Sequence, residues 1–176
     1  MKTNRNLSLA LLITCVSSPS FAAEPALKLQ TRPALKLQSR PALTLALAQK
    51  MAAACVKHQA ESKSPPMAIA IYDAGANLIY YMGMDGVSPG TGPTAMAKGE
   101  SSARFRTPTA QIGGWVQGNP AVGHVPGLLG VRGGLPIFTA AGQPLGGIGV
   151  SGAPSEVDEK CAQAAIDAVT AELRGA

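Results

Sequence analysis

Short apolar runs and longer stretches of helical periodicity alternate along the chain, and glycine and proline mark the points where one pattern gives way to the other. Residues 45–62 place apolar side chains on one broad helical face, and Thr44 precedes them as a candidate N-cap. Pro65 and Pro66 end that helix, and the apolar run Met67–Tyr72 that follows predicts a buried strand. The complete pattern predicts helices over 45–62, 94–105, 109–116 and 155–173, and strands over 67–72, 78–82, 135–139 and 144–150.

This order of elements predicts the fold class. Two hairpins, one before and one after the middle helices, supply at least four strands. We therefore expect a single α/β domain in which an antiparallel sheet is flanked by the N- and C-terminal helices. Ser155 is predicted to cap the last helix, with Asp158 in the acidic position of a capping box. The glycines within residues 146–152 predict a close approach between their strand and a helix or a second subunit.

The first 22 residues have the pattern of a secretory signal peptide. Lys2 and Arg5 precede the apolar run Leu7–Val16, and a small-x-small cleavage site ends at Ala22. The apolar run is much shorter than the roughly 20 residues that span a bilayer, so no stable membrane insertion is expected. We expect a periplasmic or secreted protein after the signal peptide is removed.

A duplicated segment, residues 23–42, precedes the domain, which we assign to residues 43–176. The unit PALKLQTR is followed by PALKLQSR, and the proline of each unit interrupts helix formation. A unit of this length is too short to build a core, so the segment is predicted to be an extended tether. A partner-binding strand is the alternative, because leucine alternates with polar residues in both units.

Composition removes several functional classes. Charged residues make up 14% of the chain, and the formal net charge of +5 falls to +3 once Lys2 and Arg5 leave with the signal peptide. With 46% apolar and 4% aromatic residues, the chain fits neither a disordered polyanion binder nor a nucleic-acid reader with stacking aromatics. After loss of Cys15, the mature chain keeps Cys55 and Cys161. These two cysteines either form one disulfide or remain as two buried free thiols.

Several glycine-containing motifs occur in an order that resembles a known family. They are Asp73-Ala74-Gly75, Met84-Asp85-Gly86, Ala97-Lys98 with Ser102–Phe105, Gly133–Ile137, and Gly146–Ala153 with Asp158-Glu159. From about Leu43 to Leu173 the chain resembles the GlcG/HbpS-like family, which includes the C-terminal domain of PduO-type proteins. The resemblance implies a profilin-like or roadblock-like sandwich that self-associates as a homo-oligomer, and it implies haem as the cofactor. Gly83 departs from the pattern, since the family often has arginine there.

Haem iron needs an axial ligand, and the chain offers two histidines. His124 lies among glycine, proline and apolar residues, which favours a pocket, whereas His58 lies near the end of the first helix, where a surface cation is the simpler interpretation. Lys98 and Arg104 are either helix-surface cations or partners for the haem propionates. No CxxCH sequence is present, so covalent haem attachment is excluded, and no histidine or cysteine spacing indicates a zinc site. We expect an exported, non-enzymatic haem-binding protein whose pocket lies near the loops 83–93 and 117–134.

Two alternatives remain open at this level. One is an enzyme or binding protein for a small organic acid, held by Lys98 and by backbone amides at Ser151 and Gly152 near the start of the last helix; in the haem-binding interpretation the same amides are candidates for a haem propionate. In that alternative Asp73 or Asp85 moves protons, although aspartate before glycine is also typical of turns. The other alternative is a non-catalytic assembly module that uses the sheet and the leucine-bearing tether to bind partners. Separately, the lone Trp115 is predicted to lie in the core or in an interface.

Overall fold

The computed structural model describes residues 40–174. It contains helices α1 (Leu45–Ser62), α2 (Thr91–Phe105), α3 (Thr109–Gly118), α4 (Ser155–Asp167) and α5 (Thr170–Arg174), a 3-10 helix (Pro120–His124), and strands β1 (Ala68–Asp73), β2 (Leu78–Gly83), β3 (Gly134–Phe138) and β4 (Pro144–Ser151). The predicted signal peptide and most of the predicted tether lie outside the described residues, so both stay predictions.

The strands form one antiparallel sheet in the order β2-β1-β4-β3. Both predicted hairpins are present, and they join through β1 and β4, where Ala68 pairs with Ser151 and Asp73 with Gly146. The two central strands are almost entirely buried, because helices cover both faces of the sheet. The predicted fold class, an α/β domain with an antiparallel sheet between helices, is confirmed.

The main core lies between one face of the sheet and helices α1 and α4. Ile69 and Ile71 of β1 and Ile148 of β4 are fully buried there against Met51 of α1. A disulfide joins Cys55 of α1 to Cys161 of α4 across this layer. Of the two states that the sequence left open for these cysteines, the structure has the disulfide.

Helix α2 lies against the opposite face, where glycine takes the place of larger side chains. A Cβ atom at Gly149 of β4 would overlap the carbonyl oxygen of Ala95 and the backbone nitrogen of Gly99. A Cβ atom at Gly147 would lie 2.6 Å from the backbone nitrogen of Ala103. The close approach predicted for this strand is therefore real, and the element that makes it is α2.

Several element boundaries differ from the predictions by one or two residues, and three differences are larger. Helix α2 begins at Thr91 rather than at residue 94, because Pro93 falls in its first turn, where proline is tolerated. The 3-10 helix Pro120–His124 occupies part of the predicted long loop. The last helix stops at Asp167 and resumes at Thr170, whose hydroxyl donates to the carbonyl oxygen of Asp167.

Candidate functional site

A buried ion pair joins helix α2 to helix α4, and its lysine also bonds to strand β4. The ammonium group of Lys98 on α2 donates to Asp158 Oδ2 on α4 at 2.7 Å and to the carbonyl oxygen of Val150 on β4 at 2.9 Å. Both charged side chains are about as buried as the isoleucines of the core, each being 2% exposed. The backbone N–H of Ala153 donates to Asp158 Oδ1 at 3.0 Å, so both oxygens of this carboxylate have a partner.

This arrangement corrects several predictions made from the sequence. Lys98 is not a helix-surface cation, because its charge is balanced inside the protein. The predicted capping box is wrong, because Pro154 holds the N-cap position, no side chain caps α4, and Asp158 turns toward Lys98 and Ala153.

In the segment whose backbone amides were predicted to hold a ligand carboxylate, the N–H of Ala153 already donates to the carboxylate of Asp158. Ser151 is only 8% exposed at the end of β4, and a Cβ atom at Gly152 would overlap the carbonyl oxygen of Pro66. Lys98 and Ser151 are thus buried, whereas Gly152 is partly exposed.

An apolar groove lies between α3 and the segment that follows it. We call it the α3 groove; it encloses about 380 Å³ and is lined by Gly113, Val116, Gln117, Gly123, Leu128, Leu129, Gly130 and Val131. The two walls touch through backbone, since a Cβ atom at Gly130 would lie 2.7 Å from the Cα atom of Gly113. Small residues at this contact let the leucines of one wall approach Val116 of the other.

His124 is exposed at the end of the 3-10 helix, immediately after the groove residue Gly123. Trp115 on α3 is 41% exposed, and Val125 and Val131 are each 42% exposed. Trp115 is thus not a core residue, and its alternative placement in an interface stays a prediction. His124 and Trp115 are each next in the chain to a lining residue of the groove, Gly123 and Val116, but neither is itself in the lining.

His58 lies elsewhere. It is partly buried on α1, which packs with α4 on one face of the sheet, whereas His124 follows α3, which contacts α2 on the other side. The structure does not bring the two histidines into one site within this chain. The loop over residues 83–93, predicted to help form the pocket, contributes no lining residue to the α3 groove.

A second cleft, of about 370 Å³, lies where α2 ends. We call it the arginine cleft; its lining residues are Ala74, Gly75, Ala76, Ala103, Arg104, Phe105, Arg106 and Pro126. Arg104 Nη2 donates to Glu100 Oε1 at 2.7 Å, and the side chain is 51% exposed. Arg104 is therefore a helix-surface cation, one of the two roles predicted for it. It lines the arginine cleft and not the α3 groove.

Asp73 and Asp85 occupy turns, as expected for aspartate before glycine. Asp73 Oδ1 accepts the backbone N–H groups of Gly75 and Asn77, each at 2.8 Å. Partial burial alone would raise the pKa of Asp73, but hydrogen bonds from Asn77 and Gly75 outweigh that effect and lower it. Asp73 thus stays ionised and satisfied within its turn, which suits a structural role better than proton transfer. Asp85 is exposed between Met84 and Gly86, whose φ of 84° closes that turn.

Sequence reasoning missed Arg106. No motif marks it, and its distinguishing property is a left-handed backbone with a φ of 52° at the helix C-cap. Leu128 and Leu129, by contrast, lie in the loop that was predicted to be functional. Among residues 40–174, no group of three or more His, Cys, Asp or Glu side chains is arranged to hold a metal ion. Within the same range, none of the helices has the length and apolar character needed to cross a membrane.

The four-stranded antiparallel sheet between helices places the chain among α/β sandwich proteins, and comparison with known proteins identifies the family. The sequence model of the family described as "Haem degrading protein HbpS-like" matches residues 43–167. The chain belongs to this HbpS-like family. No curated protein matches the chain at a significant level.

Solved structures agree with this assignment. Klebsiella pneumoniae protein ORFY is 28% identical with a TM-score of 0.71, and the match covers 80% of this chain and 99% of that one. A double mutant of HbpS from Streptomyces reticuli is 31% identical with a TM-score of 0.70, covering 83% of this chain and 97% of that one. The complex of PduOC with haem is 24% identical with a TM-score of 0.66, covering 73% of this chain and 95% of that one, a similarity of fold alone.

Proposed function

We propose that this chain is an exported haem-binding protein that holds haem at the α3 groove. The observation that carries the proposal is the combination of an exposed histidine, His124, with an apolar groove that begins at its neighbour Gly123. The chain belongs to the family described as "Haem degrading protein HbpS-like", and this supports haem as the ligand. A porphyrin needs apolar walls and one nitrogen donor on iron, and both are present on this surface.

The fit to haem rests on the chemistry of the lining. Val116, Leu128, Leu129 and Val131 offer aliphatic contacts, and the exposed ring of Trp115 lies on the same helix as Val116. Histidine, here His124, is the axial ligand that haem iron most commonly takes. Bound haem supplies an iron centre, while the protein's own contribution is to orient the ring and shield one of its faces from water.

Export is the second part of the proposal. The disulfide between Cys55 and Cys161 supports it, because disulfides persist in oxidising compartments and are rare in the cytosol. The predicted signal peptide agrees with the same location. We further propose that the protein forms a homo-oligomer, since edge strand β2 exposes Leu78 to 45% and Tyr81 to 44%.

Haemin titration of the purified mature chain tests the proposal. We expect a saturable shift of the Soret band with the unmodified protein and loss of that shift with His124→Ala. His58→Ala is the matched control, because it removes the other histidine from a different layer of the fold. A Soret shift that survives His124→Ala would contradict the ligand assignment, and no shift in any variant would contradict haem binding. Following the band over time separates stable binding from the haem breakdown named in the family description.

A further inference from the structure

We propose that the arginine cleft is a binding site for a small organic monocarboxylate, separate from the α3 groove. Three segments form the cleft: the β1–β2 turn, the C-terminal end of α2, and Pro126 of the loop that precedes β3. Two guanidinium groups, those of Arg104 and Arg106, belong to its lining, and none of its lining residues is acidic. The two clefts share no lining residue.

Arg106 has a charge that the protein does not use internally. The Arg106 side chain is exposed, and among residues 40–174 its guanidinium group forms no hydrogen bond or ion pair. Its φ of 52° is in the left-handed region, where glycine is the usual residue at the end of a helix. Ala76, on the facing turn of the same cleft, also has a positive φ, of 59°. Lys63 at the end of α1 has a similar φ of 51°, so this conformation is that of a helix C-cap. The exposed guanidinium groups of Arg106 and Arg104 in one cleft are what mark it as a candidate anion site.

Arg104 is already held in position. Its ion pair with Glu100 at 2.7 Å fixes one side of the guanidinium, and its Cδ atom lies 3.4 Å from the place that a Cβ atom on Gly127 would occupy. An ordered arginine loses little further rotamer freedom when it binds an anion. Arg104 thus positions the ligand, and Arg106 supplies the unpaired charge.

The charge and shape of the cleft select the ligand class. Glu100 offsets one of the two arginines, and the carboxylate of Asp73 lies beside the lining residue Gly75, so the local excess of positive charge is small and favours a monoanion. The C-terminal end of α2 disfavours any anion near it, and the effect is larger for a dianion such as phosphate than for a monocarboxylate. The amide of Gly75, which a phosphate would seek, already donates to Asp73. The remaining walls are alanine, phenylalanine and proline, which suit a short apolar body behind a carboxylate.

Titration of 15N-labelled protein with sodium butyrate, at ionic strength held constant with sodium chloride, tests the inference. We expect saturable amide shifts at Gly75, Ala76 and Phe105, and weaker binding of inorganic phosphate under the same conditions. Arg106→Gly is expected to raise the dissociation constant of butyrate about tenfold or more, because it removes a charge-assisted pair. The glycine suits the left-handed backbone, so this variant is expected to fold with equal or higher stability.

Arg132→Gln is the matched control. Arg132 is a 44% exposed arginine outside the cleft, in a 3.8 Å ion pair with Glu159, and its loss is expected to leave the butyrate affinity unchanged. Equal affinity in Arg106→Gly and the unmodified protein would overturn the inference, as would the absence of a saturable shift. Saturating haemin is expected to leave butyrate binding unchanged. Competition between haemin and butyrate would contradict a carboxylate site separate from the α3 groove. Absence of haem binding alone would not affect the inference of a carboxylate site.

Discussion

The pairing of Lys98 with Asp158 shows how single residues organise this domain. Lys98 reaches from α2 past the end of β4 to α4, and Gly133 makes room, since a Cβ atom there would lie 2.9 Å from Lys98 Nζ. Burying two charges costs solvation free energy, and the pair is retained only because each charge has hydrogen-bond partners. The position of Lys98 on a helix was predictable, but its burial was not, because the partner lies 60 residues away.

Lys98→Met is expected to lower the free energy of unfolding by about 3–5 kcal/mol, because it leaves the carboxylate of Asp158 buried without a counter-charge. Urea denaturation followed by circular dichroism measures this loss. Lys57→Met is the matched control: Lys57 is 78% exposed and lies 3.8 Å from Glu61, so an effect below about 1 kcal/mol is expected. Equal effects of the two substitutions would contradict a structural role for the buried pair.

At the scale of elements, glycines determine how α2 meets the sheet. Gly147 and Gly149 on β4 and Gly99 on α2 bring backbone against backbone, so that no side chain separates the helix from the strand. The hairpins and this approach were predictable because they depend on local patterns of apolar residues and glycine. The capping box was not predicted correctly, because Ser155 and Asp158 have the right spacing while tertiary contacts hold Asp158 elsewhere.

Gly149→Ala is expected to destabilise the domain by about 3 kcal/mol or more, because the added methyl group meets rigid backbone rather than a side chain that moves aside. Thermal unfolding of the variant measures the loss. Gly114→Ala on α3 is the control, since a Cβ atom there has open space, and we expect it to be neutral or to add about 0.5–1 kcal/mol. If Gly149→Ala were as stable as Gly114→Ala, the close approach of α2 to β4 would be disproved.

At the scale of the whole molecule, one covalent bond joins the two ends of the domain. Cys55 and Cys161 are separated by 106 residues, so their disulfide closes nearly the whole described domain into a loop. Sequence reasoning reduced the cysteines to one pair but left two states open, since spacing alone does not show whether two side chains meet. The loop that lines the α3 groove was predicted to be functional, and this stays a prediction. The arginine cleft was not predicted, because it is formed by three segments that are far apart in the chain.

Reduction of the disulfide is expected to lower the free energy of unfolding by about 2–5 kcal/mol, because the open chain gains conformational entropy when unfolded. Comparison of urea denaturation midpoints with and without dithiothreitol measures this loss. The variant Cys55→Ala with Cys161→Ala serves as control, because its midpoint is expected not to respond to dithiothreitol. Alkylation of two cysteines in the unreduced, denatured mature protein would contradict the disulfide.

The absorption spectrum of the mature protein purified from haem-replete cells tests the central claim, haem binding, most directly, since it assumes nothing about the site. We predict a Soret band that co-purifies with the protein and is lost in His124→Ala but kept in His58→Ala. A protein without a Soret band, whose spectrum stays unchanged when haemin is added, would contradict the claim.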